Sequence, residues 1–234
     1  MLPGATIKIC GLSTPETLEA AIEAGADMVG FVFFAKSPRH VSLDEARQLG
    51  AIARGRAKIA ALSVDADDAA LKEIVEALAP DFLQLHGRET PERVAMIGNN
   101  FGVATIKAIG VEGPTDLVTA KSYAGAADML LYDAKARKDA RLPGGNGVPF
   151  DWRLLDGVAG KPAYLLSGGL DAGNVAEAIR LSGASGVDVS SGVERAPGVK
   201  DNAKIAAFIA NARAAFAVIK EEKSARREIA GRVA

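Results

Sequence analysis

Cysteine is almost missing from this chain. Cys10 stands alone, so no internal disulfide can form, and the chain suits a reducing compartment. Histidine is nearly as scarce, with two residues. One Cys and two distant His match no metal-ligand spacing, so no metal is expected. A basic block is absent outside the C-terminal tail, and the formal net charge is −1, which argues against a nucleic-acid partner. Long apolar runs are absent too. The longest, residues 28–34, is far too short to span a bilayer. The start, MLPGATIKICG, lacks the charged, apolar, small-residue order of a signal peptide. These absences predict a cytoplasmic protein with neither nucleic acid nor membrane as partner. What is there is ordinary for a globular protein: 234 residues, 49% hydrophobic and 24% charged.

The chain has a rhythm. Apolar, β-rich runs lie at 6–12, 28–34, 58–64, 82–86, 103–109, 129–133, 164–166 and 186–189. Helical patterns follow most of them, opened by recognisable caps. Ser13-Thr-Pro-Glu16 and Thr90-Pro-Glu92 put a hydroxyl before a first-turn proline, and Ser42-Leu-Asp-Glu45 reads as a capping box. Between 134 and 149 comes a long loop, then a weak helix at 151–155. Eight strand–helix units predict a parallel sheet with right-handed crossovers. Eight such units close into a (β/α)8 TIM barrel, an α/β fold that uses this length as one domain. Residues 1–219 are assigned to the barrel and 220–234 to a charged extension. An open doubly wound sheet is the alternative, but no Gly-x-Gly-x-x-Gly follows the first strand.

The last two strands each break into a glycine-bearing turn, Ser167-Gly168-Gly169 and Ser190-Ser191-Gly192. Glycines let the backbone approach a ligand closely, and unpaired amides that open a helix attract anions. Two such turns side by side make a seat for phosphate, where barrels keep theirs. A phosphorylated small molecule is therefore the expected partner.

Barrel enzymes work at the carboxyl ends of their strands. Those ends carry Cys10, then Lys36, Arg39 and His40, then Gln84 and His86, then Asp133. Period-two alternation puts Lys8 with Cys10, Gln84 with His86, and Leu131 with Asp133. A thiol and a carboxyl on two sides of a phosphate-anchored sugar form a base and an acid. Such a base needs a lowered pKa and such an acid a raised one. Asp188 lies inside a strand, where a carboxylate is costly unless paired. With Lys8 and Lys107 it predicts an inward-facing ion cluster. Asp27, Asp81 and Asp128 precede strands and belong to the opposite, structural end.

Local motifs then accumulate in order: Lys8-Ile-Cys-Gly11, Gly30-Phe-Val-Phe33 with Ser37-Pro-Arg39, Leu83-Gln-Leu-His-Gly87, Gly144-Gly-Asn-Gly147 with Phe150-Asp-Trp152, Leu166-Ser-Gly-Gly-Leu170 and Val187-Asp-Val-Ser-Ser-Gly-Val-Glu194. From about residue 7 to about 208 the chain resembles the phosphoribosylanthranilate isomerase family of tryptophan biosynthesis. The resemblance implies a TIM barrel without cofactor. It implies conversion of N-(5-phosphoribosyl)anthranilate to 1-(2-carboxyphenylamino)-1-deoxyribulose 5-phosphate, an Amadori rearrangement. It makes Cys10 the general base, Asp133 the general acid and Arg39 the partner of the anthranilate carboxylate. Gln84, His86, Gly145, Gly147, Ser167, Gly168, Gly169, Asp188, Ser190, Ser191 and Gly192 are the remaining substrate-binding candidates. The loop after Asp133 is longer than usual for the family, and the tail is extra. Rival readings are another phosphate-binding barrel, such as indole-glycerol-phosphate synthase or a pentose-phosphate epimerase, and a non-catalytic phosphate-ligand sensor. The sensor would need neither Cys10 nor Asp133. Monomer and homodimer are equally open.

Overall fold

The structure, a computed structural model, describes residues 5–135, 149–156 and 164–233. In chain order these form β1 (Thr6–Cys10), α1 (Pro15–Glu23), β2 (Met28–Phe33), α2 (Leu43–Ala53), β3 (Lys58–Ser63), α3 (Asp68–Leu78), β4 (Phe82–Leu85) and α4 (Pro91–Phe101). Then come β5 (Ala104–Val111), α5 (Pro114–Lys121), β6 (Met129–Ala134), β7 (Tyr164–Leu166), α6 (Val175–Ser182), β8 (Gly186–Val189), a hairpin of β9 (Glu194–Ala196) and β10 (Val199–Lys200), and α7 (Asn202–Val233). A 3-10 turn, Trp152–Leu155, lies between β6 and β7 where a weak helix was expected.

Strands β1 to β8 form one closed barrel in sequential order, as the repeated units predicted. The closing seam is parallel, Thr6 against Gly186 through Ile9 against Val189. Alternation then divides each strand between two cores. Ile7 and Ile9 of β1 face the helices in the large outer core. Met28, Ala60, Ile106, Ala108, Met129, Leu131 and Leu165 fill the barrel interior. The helices start where the short-range signals say. Thr14 accepts from Thr17 N–H, Ser42 and Glu45 cap each other reciprocally, and Thr90 accepts from Arg93 N–H.

At the N-terminal end a small device repeats. Asp27, just before β2, accepts from Ile7 N–H of β1 at 2.7 Å. Asp81, before β4, accepts from Ile59 N–H of β3 at 2.8 Å. Asp128, before β6, accepts from Thr105 N–H of β5 at 2.7 Å. Ser185, before β8, accepts from Tyr164 N–H of β7 at 3.2 Å. Each even strand thus ties down the start of the odd strand before it. Strand ends carry unmatched amides, and these side chains satisfy them while setting register.

One expectation changes here. Lys107 does not join an inward cluster. Ile106 and Ala108 take the interior, so Lys107 points outward, where its ammonium donates to Gly87 O at 2.8 Å and to Glu89 at 2.7 Å. Both faces of the strand are largely buried, so its phase could not be read from pattern. Helix α7 runs on through the charged tail past residue 219 to Val233. Its 202–222 portion is long and apolar enough to cross a membrane by length and composition. Here its stripe of Ile205, Phe208, Ile209 and Ala212 is buried, with α7 packed on α6 and α1.

Candidate active site

The strand ends open into a cleft. Cys10, Arg39, Gln84, His86, Asp133, Ser167, Gly168, Gly169, Asp188, Ser190 and Ser191 all line it. They come from β1, β2, β4, β6, β7 and β8 or the loops that leave them. Closure of the barrel brings together residues that are up to 181 positions apart (10 to 191).

Cys10 sits at the end of β1, 3% exposed. Two residues earlier on the same face, Lys8 is fully buried and paired with Asp188 at 2.7 Å. Asp188 in turn accepts from Ser167 Oγ at 3.1 Å. The inward ion pair expected from Lys8 and Asp188 is therefore present. Burial alone would lower the Lys8 pKa, but the Asp188 carboxylate and the Cys10 sulfur outweigh it and hold Lys8 above the usual lysine range. Burial pushes the Cys10 thiol up, Lys8 opposes this, and Asp188 adds to it. The net shift is upward, opposite to the lowered value a resting thiolate base needs. Gly30 on β2 makes room for the pair. A Cβ there would lie 2.9 Å from Cys10 Sγ and 3.2 Å from Lys8 Nζ.

Asp133 ends β6 and is 5% exposed. Its Oδ2 lies 3.2 Å from His86 Nε2, and its Oδ1 accepts from Ala134 N–H at 2.9 Å. His86 Nδ1 faces Gln84 Nε2 at 3.2 Å. Alternation along β4 thus gives a line of three side chains ending at a carboxyl.

Arg39 holds a carboxylate already. Its Nε and Nη2 donate to Glu194 at 2.7 and 2.8 Å, a bidentate pair. Glu194 also pairs with Lys200 at 2.8 Å, and Lys200 donates to Ser190 O at 2.9 Å. Burial opposes the charge on Glu194, but Arg39 and Lys200 outweigh it and keep its pKa low. Burial dominates at Lys200 and brings its pKa down. Nη1 of Arg39 has no hydrogen bond among the described residues. The guanidinium stem lies over Gly11, whose φ is +57° and where a Cβ would meet Arg39 Cδ at 2.7 Å.

The two glycine turns touch. A Cβ on Gly192 would overlap Leu170 O, and one on Gly168 would overlap Ala134 N. The amides of Gly168, Gly169, Ser191 and Gly192 donate to no acceptor among the described residues. Their origin differs from expectation. Helix α6 begins only at Val175, because Asp171 and Asn174 interpose a turn of their own. The second turn does run into a single 3-10 turn, Ser191–Val193. The donors are therefore loop amides held apart by glycine packing. A concave set of such amides binds an anion without a full helix behind it.

Val32, Phe34, Leu62, Val64, Leu170 and Val189 complete the lining. Sequence reasoning passed over them because an apolar side chain at a strand end looks like core. It also gave no role to Glu194 or Lys200, although Glu194 closes the Val187–Glu194 motif. Gly145 and Gly147 lie outside the described residues.

The family description N-(5'-phosphoribosyl)anthranilate (PRA) isomerase matches residues 7–211. An N-(5'-phosphoribosyl)anthranilate isomerase of Nitrobacter hamburgensis is 58% identical over 93% of this chain and 97% of its own. One from Rhodopseudomonas palustris is 59% identical over 89% and 95%. Among solved structures, the phosphoribosyl anthranilate isomerase of Thermotoga maritima superposes with TM-score 0.82 at 33% identity, covering 90% of this chain and 99% of that one. A further phosphoribosyl anthranilate isomerase, in complex with reduced 1-(o-carboxyphenylamino)-1-deoxyribulose 5-phosphate, gives 0.79 at 32% identity, over 90% and 99%. With the barrel, the cleft and these likenesses in agreement, the chain belongs to the phosphoribosylanthranilate isomerase family.

Proposed function

We propose that Cys10 and Asp133 are the general base and general acid of the isomerisation this family performs. The protein is an aldose–ketose isomerase of tryptophan biosynthesis. One observation carries the residue assignment: Cys10, Asp133, Arg39 and both glycine turns line a single cleft. Asp133, protonated, donates to the furanose ring oxygen of N-(5-phosphoribosyl)anthranilate. The ring C1–O bond breaks, and the nitrogen lone pair forms the C1=N bond of an iminium. That cation acidifies the hydrogen on C2. The Cys10 thiolate removes it, the electrons return to nitrogen, and the enolamine tautomerises to the ketone.

The raised Cys10 pKa fits this order of events. The resting cleft favours the thiol. The reacting form is the one whose Cys10 has already released its proton to solvent, and Lys8, joined by the positive charge that ring opening brings beside C2, favours that thiolate. The amides of the two turns hold the phosphate, and Nη1 of Arg39 reaches the anthranilate carboxylate. Val32, Phe34, Leu62 and Val64 receive the aromatic ring. Every step is a proton transfer or a tautomerisation, so no cofactor is called for.

Each placed proton-transfer group contributes ~10²–10⁴-fold in rate. Cys10→Ala and Asp133→Asn are each expected to lower kcat by about that factor, with circular dichroism unchanged. Loss of substrate fluorescence measures turnover. Near-normal kcat in either variant removes that residue from its role. The sensor reading predicts no turnover in the wild-type chain.

A further inference from the structure

Gln84 stands out within the cleft because its amide is only half used. The residue is 0% exposed. Its Nε2 faces His86 Nδ1 at 3.2 Å, while its Oε1 is buried with no partner among the described residues. A buried carbonyl without a partner costs free energy, so the orientation needs a reason. Turning the amide over would give Oε1 to the ring but leave both amide hydrogens, rather than one, without a partner among the described residues, and orphaned buried N–H groups are rarer than under-satisfied carbonyls. The observed orientation is therefore the favoured one.

Its consequence is chemical. An amide NH2 can only donate, so His86 Nδ1 must accept and the ring proton must sit on Nε2. That proton points at Asp133 Oδ2, 3.2 Å away. We propose that Gln84 is a positioning residue. It locks His86 in the Nε2–H tautomer, so that the imidazole donates to the Asp133 carboxylate that appears when the acid gives its proton to the substrate. With Ala134 N–H on Oδ1, both oxygens of the spent acid then have donors. Interactions stronger after proton release than before it lower the barrier to release. Gln84 sits in the cleft wall but is 0% exposed, and its side chain is bonded to His86, so its effect on the acid passes through His86. This inference rests on Asp133 as the acid.

The experiment uses the two histidines of the chain, His40 and His86. In the uniformly 15N-labelled wild-type enzyme, with His40→Asn for assignment, the imidazole nitrogen shifts of His86 are expected to report the Nε2–H tautomer. Gln84→Glu replaces the donor by an acceptor and is expected to move the proton to Nδ1. Gln84→Leu is expected to mix the two forms. Both variants should lower kcat by about 10–100-fold with KM held within about twofold, since a misplaced imidazole proton alone is costly. An Nδ1–H tautomer in the wild-type spectrum overturns the inference without any variant having to fold. So does an unchanged kcat in a folded Gln84→Leu protein. Full turnover in Asp133→Asn is the separate result that removes the acid assignment underneath.

Discussion

The two ends of the barrel weight polar side chains differently: Asp27 and Asp81 at the N-terminal end also meet Arg213 and Lys58, but all four groups there hold a strand amide. At the N-terminal end, Asp27, Asp81, Asp128 and Ser185 each accept a backbone N–H from the neighbouring strand. At the C-terminal end, side chains bind one another: Lys8 with Asp188, His86 with Asp133, Arg39 with Glu194 and Lys200. A side chain committed to the backbone sets geometry and is not free for a ligand. A side chain committed to another side chain can share or exchange that partner with a substrate. The bottom of the barrel is therefore built for register and the top for chemistry, though both rest on equally ordinary residues.

The sharpest way to break that contrast is at Lys8. Lys8→Met leaves Asp188 buried without its cation, which should cost ~3–5 kcal/mol of stability. It also removes the nearest charge that opposes burial of the thiolate. The Cys10 pKa, already raised, should rise further, and the rising limb of the kcat–pH profile should move to higher pH. Denaturant melts and that profile check both. Adding Asp188→Leu should return most of the stability and none of the activity, because a buried ion pair can be exchanged for apolar packing.

The bottom should behave in reverse. Asp128→Ala orphans the amide of Thr105 and should cost ~1–3 kcal/mol, with kcat per folded molecule unchanged. A matching fall in kcat would show that the two ends are coupled. The smallest effect is expected away from both ends. Arg56 pairs with Glu19 on the surface at 2.7 Å, and its removal in Arg56→Ala should leave both Tm and kcat where they were.

Much of this was legible in the chain, for reasons that particular residues make plain. Caps at Thr14, Ser42 and Thr90 are contacts over three residues, so sequence spacing states them directly. Asp27, Asp81 and Asp128 were assignable to the structural end because each precedes a strand. Cys10 and Asp133 were visible as strand-end groups in a repeated βα pattern. The partners of the charged groups were less legible. The Lys8–Asp188 pair, 180 positions apart, was expected from two charges buried in strands, but the Arg39–Glu194 pair, 155 apart, was not. No local pattern encodes such distances, and Lys107 shows the hazard. A strand buried on both faces hides its phase, and the lysine turned outward.

Order along the chain, the caps of its helices and the chemistry available at the strand ends were settled by the sequence, since all three depend on neighbours a few residues apart. Which charges meet, how far the Cys10 thiol is desolvated and which way the Gln84 amide faces were decided only when the eighth strand closed on the first. Those properties depend on distance through space and on exclusion of water, and neither exists until the barrel is shut.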